Sequence, residues 1–121
     1  MNGPKGYVTT HVLDTSLGGP AEGLRIDVYR VDGDERRLIA SLVTNADGRT
    51  DAPAIVGDDV AEATYELVFH AGDYFSTHGE NLPSPPFLDQ VVIRFGVASP
   101  GQHYHVPLLI SPYGYSTYRG S

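Results

Sequence analysis

An all-β sandwich is the fold class this sequence predicts, and three observations carry the prediction. Fourteen glycines and nine prolines cut the chain into short runs. Those runs are rich in Val, Ile, Thr and Tyr, and within them residues alternate with the period of two that a half-buried strand requires. At 121 residues the chain is long enough to bury one core and short for two. Residues 1–121 are therefore read as a single domain.

Tyr7 to Leu13 predicts the first strand, with Val8, Thr10 and Val12 on one face and Tyr7, Thr9, His11 and Leu13 on the other. His11 thus points away from the small β-branched side. Asp14 to Gly23 is loop, broken by Gly18-Gly19-Pro20. Leu24 to Val31 and Arg37 to Thr44 form a hairpin through the acidic turn Asp32 to Glu35, and a second turn, Asn45-Ala46-Asp47-Gly48, delivers Arg49 at its exit. Arg49 to Ala54 predicts a short edge strand limited by Pro53. Ala63 to His70 alternates again, with Tyr65, Leu67 and Phe69 on one side. Gly72 to Gly79 is the one place for a helix, of about two turns. Leu82 to Phe87 is a proline-stiffened connection, Gln90 to Val97 is strongly β, and Ser99-Pro100-Gly101 turns the chain into two terminal strands. The count is eight strands in two sheets.

Fifteen acidic and eight basic residues leave a net charge of -7 with no Lys/Arg-rich run, which gives neither a nucleic acid nor an anionic membrane an electrostatic handle. The absence of cysteine excludes a disulfide framework and thiolate metal ligands. The first residues lack an apolar run of signal-peptide length, and no run spans a bilayer, so a cytoplasmic protein is expected.

The chemistry-bearing residues gather late in the chain. In His103 to Ile110, Tyr104, Val106, Leu108 and Ile110 form the core set and His103, His105, Pro107 and Leu109 face the other way. His105 and His11 then share an outer face if their strands share a sheet. In the last strand Gly114, Ser116 and Tyr118 form a face with room for a ligand. Two imidazoles and a guanidinium make a hydrolytic set without metal, because a neutral imidazole takes a proton from water and Arg49 stabilises an oxyanion. Taken singly, each of these residues has an ordinary reading as a solvated surface group. His103 and His105 have a spacing that zinc sites use, but no third ligand accompanies them, so no metal is expected. Ser116 and Ser121 lack the elbow of a nucleophilic serine.

Three stretches carry a resemblance: THVLDTSLGGPA from Thr10, TNADGR from Thr44 and HYHVPLLISPYGYSTYRGS from His103. Together they resemble the transthyretin-related 5-hydroxyisourate hydrolases, whose distinguishing ending matches Tyr118-Arg119-Gly120-Ser121. The resemblance implies a transthyretin-like sandwich of two four-stranded sheets with one short helix. It also implies a homotetramer built as a dimer of dimers, with active sites in a channel between dimers. Position by position it implies His11, Arg49 and His105 as catalytic residues and Tyr118 and Ser121 as substrate-binding ones, and Ser116, on the face that alternation gives to His11, His105 and Tyr118, would join the substrate-binding lining of the implied cleft. The implied reaction opens the six-membered ring of 5-hydroxyisourate to 2-oxo-4-hydroxy-4-carboxy-5-ureidoimidazoline without a cofactor. Which histidine is base and which is acid stays open. The chain departs from the family at Leu82 to Leu88, where an aromatic-aromatic-proline element is usual. Two rival readings remain. One is a carrier of hydrophobic ligands such as transthyretin, which has no need of two histidines and an arginine at one cleft. The other is a generic sandwich interaction module.

Overall fold

Two sheets enclose the core in the computed structural model of the chain, which describes residues 5–120. In chain order the strands are β1 (Tyr7–Asp14), β2 (Gly19–Pro20), β3 (Arg25–Asp32), β4 (Glu35–Val43), β5 (Ile55–Val56), β6 (Ala63–His70), β7 (Gln90–Val97), β8 (His103–Ser111) and β9 (Gly114–Thr117). One helix, α1 (Ala71–Thr77), follows β6, and a 3-10 turn covers Gly57–Asp59. The first sheet runs β2-β1-β8-β9 with β5 also on β1, and the second runs β4-β3-β6-β7.

Alternation explains the core. Val8 and Val12 of β1, Ile26 and Val28 of β3, Leu67 and Phe69 of β6, and Leu108 and Ile110 of β8 are all fully buried. These are one parity of each strand, so each sheet turns a hydrocarbon face inward and removes it from water. Tyr65 is buried with them, and its hydroxyl donates to Asp59 O (2.5 Å) and accepts from Ala61 N (2.9 Å). That pairing avoids the cost, about 1–3 kcal/mol, of an unsatisfied buried polar group.

The two-sheet sandwich with one short helix is what the sequence predicts, and the differences are local. Among the described residues nine strands replace eight, and the first sheet has five rather than four. Gly19–Pro20, placed in a loop by the sequence, pairs with Leu13 and Asp14. Arg49 to Ala54 is not an edge strand; Arg49 makes one isolated bridge to His11, and regular pairing begins only at Ile55 and Val56, opposite Val8 and Tyr7. Local bonds divert that segment: Asn45 Nδ2 donates to Asp51 Oδ1 (3.0 Å) and Thr50 Oγ1 to Ala52 O (2.5 Å), while Pro53 has no N–H for a ladder. The helix begins one residue earlier than Gly72 and ends at Thr77, where the next residue, His78, turns its ring onto the carbonyl of Tyr74 (2.8 Å). The 82–88 connection contains a cis Ser84–Pro85 bond, and Leu82 packs against the core.

One pairing sets up everything that follows. β1 and β8 lie side by side and parallel, the only parallel pair among the described residues, with Tyr7 opposite His103, Thr9 opposite His105 and His11 opposite Pro107. Residues opposite one another share a face, so the odd-numbered polar residues of both strands meet on the outer surface of the first sheet. No helix among the described residues is long and apolar enough to cross a membrane.

Candidate active site

The turn before Arg49 is built to hold one position. Asn45 Oδ1 accepts from the backbone N–H of Asp47 (2.9 Å) and of Arg49 (3.2 Å), and Asn45 N–H donates to Arg49 O (2.7 Å). Gly48 closes the turn at φ +75°, and its carbonyl accepts from Val12 N–H of β1 (2.8 Å). A Cβ on Gly48 would lie 2.4 Å from Val12 O, so only glycine fits both the angle and the approach. The turn is thereby docked against β1 beside His11. His11 Nε2 donates to Asp47 O (2.8 Å), and because a carbonyl only accepts, this contact places the proton on Nε2. One turn thus positions both Arg49 and the His11 ring.

Beside it lies a cleft of about 300 Å³ lined by Thr9, Thr10, Arg49, Thr50, His103 and His105. The Thr9 hydroxyl sits 2.8 Å from His105 Nδ1 and 2.6 Å from His103 Nε2. His103 is exposed and stacks on Tyr7 with ring centroids 4.2 Å apart. The pKa of His105 is lowered below the ordinary 6.5, first by burial and then by the charge of Arg49, with His103 and His11 adding to it. Its imidazole is therefore held neutral near neutral pH. No carboxylate pairs with Arg49 or with His11, His103 or His105 among the described residues.

The chain's tail contributes through its backbone. Gly120 N–H donates to His105 O (2.8 Å), forming an isolated bridge to β8. A Cβ at Gly120 would come 2.6 Å from His105 Cδ2 and 3.3 Å from Cγ. Glycine at this position lets the tail cross the face of the ring without moving it.

The fold brings His11, Arg49 and His105 to one surface. Ser116 shares that outer face but lies farther along it: on the exposed strand β9 it pairs with Leu109 of β8, four residues from His105 and so about 13 Å away by strand rise. Tyr118 is 62% exposed and lines a different groove, of about 410 Å³, between β7 and the tail, together with Ile93, Phe95, Tyr104 and Val106. Ser121 lies outside the described residues. Three groups at the cleft go unnoticed in the sequence: Thr9, the Asp47 carbonyl and Gly120. Thr9 had a signal, since alternation puts it on the His11 face, but its approach to His105 depends on the register between strands far apart in the chain.

A sequence model described as the HIUase/Transthyretin family matches residues 8–120. 5-Hydroxyisourate hydrolase 2 of Rhizobium meliloti (strain 1021) is 63% identical over 116 residues, covering 96% of this chain and 97% of that protein. Among solved structures, the 5-hydroxyisourate hydrolase of Klebsiella pneumoniae superposes with a TM-score of 0.78 at 35% identity, over 95% of this chain and 99% of its own. Sea bream transthyretin, solved in complex with thyroxine, superposes with a TM-score of 0.83 at 26% identity, over 93% of each chain. A family match over nearly all of the sequence, and a relative this similar from end to end, establish that the chain belongs to the HIUase/Transthyretin family.

Proposed function

We propose that this protein hydrolyses 5-hydroxyisourate to 2-oxo-4-hydroxy-4-carboxy-5-ureidoimidazoline, a step of urate breakdown, and that His11, Arg49 and His105 carry the reaction. The observation that supports it is the cleft itself, where an imidazole held neutral by burial faces a guanidinium with no carboxylate partner among the described residues. A hormone carrier has no use for that combination.

In this reading His105 is the general base. Its Nδ1 is taken up by Thr9, and its Nε2 has no hydrogen-bond partner among the described residues and is the nitrogen available to a water. The water attacks the ring carbonyl as its proton passes to Nε2, and Arg49 stabilises the oxyanion that develops on the carbonyl oxygen. The ring C–N bond then breaks and the leaving nitrogen takes up a proton. His11, with Nε2–H committed to Asp47, keeps a lone pair on Nδ1 that can accept a hydrogen bond and order the water, and the proton for the leaving nitrogen is returned from Nε2–H of His105. The product acid ionises, so one proton per turnover is released to solvent.

The enzyme is further proposed to be a cytoplasmic homotetramer, a dimer of dimers. Ser116 and Tyr118 stand clear of the cleft within one protomer, so in the tetramer they contribute to a substrate pocket completed by a second copy, with Ser121 at its mouth. The test is a spectroscopic assay of freshly generated 5-hydroxyisourate with the wild type, His11→Ala, Arg49→Ala and His105→Ala. The wild type should accelerate decay of the substrate, and Arg49→Ala should lower turnover about 10²–10³-fold, as loss of an oxyanion donor does. Decay no faster than the spontaneous rate with wild type would remove the enzyme reading. Full activity in the variants would remove the residue assignment and leave the activity standing.

A further inference from the structure

The Thr9 hydroxyl lies between two imidazoles, 2.8 Å from His105 Nδ1 and 2.6 Å from His103 Nε2. A hydroxyl has one proton to donate, so at least one of the two rings must donate to it. The arrangement that makes both contacts good hydrogen bonds has one ring donating and the other accepting. Two states meet that condition. In the first, His105 Nδ1–H donates to Thr9 and Thr9 donates to His103 Nε2, leaving a lone pair on His105 Nε2. In the second, every donor is reversed and His105 Nε2 carries the proton. Only the first state makes His105 Nε2 a base.

We propose that Thr9 and His103 are positioning residues that select the tautomer of His105, and that protonation of His103 switches His105 out of its base-competent form. This rests on the reading of His105 as the base. With His103 neutral and accepting, the chain is set in the first state and keeps the same hydrogen bonds after water's proton reaches His105 Nε2, so the step needs no rearrangement around Thr9. With His103 protonated, its Nε2–H must donate to Thr9. The hydroxyl then turns its own proton to His105 Nδ1, and the lone pair at Nε2 is lost. The alternative, two N–H groups aimed at one oxygen, brings like charges together and leaves the hydroxyl proton without a partner.

The surroundings suit His103 to this role. It is exposed, whereas His105 is half-buried, so it exchanges protons with solvent directly. Tyr7 of β1 stacks on its ring, His105 of β8 lies 6.1 Å away centroid to centroid, and Arg119 of the tail lies against its carbonyl (3.5 Å). Arg49 and His11 act across the cleft on His105. No carboxylate pairs with either ring among the described residues, so the hydroxyl is what links the two histidines.

The full-length protein, labelled at histidine nitrogens, provides the first arm. Near neutral pH the wild type should show a protonated Nδ1 on His105 and an unprotonated Nε2 on His103, and the His105 pattern should reverse as His103 takes up a proton. In Thr9→Val the His105 pattern should become independent of His103 and average between tautomers, and Thr9→Ser should restore it. Kinetics provide the second arm. Thr9→Val should lower kcat about tenfold with KM within about twofold, because a tautomer is lost and no substrate contact. His103→Gln, whose amide oxygen accepts from Thr9 without titrating, should move the acid limb of kcat/KM to lower pH. A Thr9→Val spectrum identical to wild type, or a His103→Gln acid limb superimposable on it, would overturn the proposal. The nitrogen spectra need no substrate, so failure of the hydrolase reading appears in wild-type turnover and is distinct from failure of the linkage.

Discussion

On the outer face of the second sheet His70 is held by a carboxylate, whereas on the outer face of the first His105 is held by a hydroxyl. Asp27 accepts from Ser41 Oγ (2.7 Å), His70 Nε2 (2.9 Å) and Arg25 Nε (3.1 Å), and is only 5% exposed. A short distance along the same sheet Glu66 accepts from Arg36 (3.1 Å) and from Arg94 through Nε (2.9 Å) and an NH2 nitrogen (2.8 Å). Every one of those charges has an answer within the fold. Around the cleft of the first sheet three imidazoles and Arg49 have none from a carboxylate among the described residues. Similar residue types thus make a structural clasp where pairing is complete, and a candidate reaction site where the missing partner is left for a ligand to supply.

Removing the unanswered groups should therefore cost activity and little stability. His105→Ala is expected to lower kcat/KM by about 10²–10⁴-fold, the range for loss of a general base, with a melting temperature near that of wild type. With His103→Gln in place, the remaining acid limb should lie below the ordinary imidazole value of 6.5, because burial and Arg49 both favour the neutral ring of His105. Steady-state kinetics across pH checks both. Gly120→Ala comes next: its Cβ would press on His105 Cδ2 at 2.6 Å, and a displacement of the base should cost about tenfold to a hundredfold in turnover. A variant with unchanged turnover would mean that the ring can move without consequence.

The answered groups should behave in the opposite way. Burial alone would raise the pKa of Asp27, but the bonds from Ser41, His70 and Arg25 outweigh it and bring the carboxyl from 3.8 to about 2. A depressed carboxylate stabilises the fold fully above its unfolded pKa. The contribution, about 2 kcal/mol, is lost as pH falls from 3.8 towards about 2. Asp27→Asn should remove most of that acid-side dependence in denaturant titrations while leaving turnover per folded molecule unchanged. The smallest effect is expected at Arg36, half-exposed beside Glu66 and over the Tyr29 ring at 4.3 Å. Arg94 still pairs with Glu66 when Arg36 is gone, so Arg36→Ala should cost about 1 kcal/mol or less by the same titration. A large loss of activity in either variant would erase the distinction between the two faces.

Much of the site can be read from the sequence because strand parity is a local property. Val8, Thr10 and Val12 mark the inward face of β1, and Tyr104, Val106, Leu108 and Ile110 that of β8, so the outward direction of His11 and His105 follows with no knowledge of the fold. The Asn45 to Gly48 turn is local as well, and it identifies Arg49 as the residue delivered at its end. Register is not local. Nothing within His103 to Ser111 says that Thr9, more than ninety residues earlier, lies directly opposite His105. Nor does the tail's own alternation say that Gly120 rests on the His105 ring while Ser116 and Tyr118 stand away from it. The chain by itself determined which side chains face out, because the pleat repeats every two residues whatever the neighbours. Only the tertiary structure decided which of them meet, because the parallel pairing of β1 with β8 and the docking of the tail depend on two sheets closing over one core.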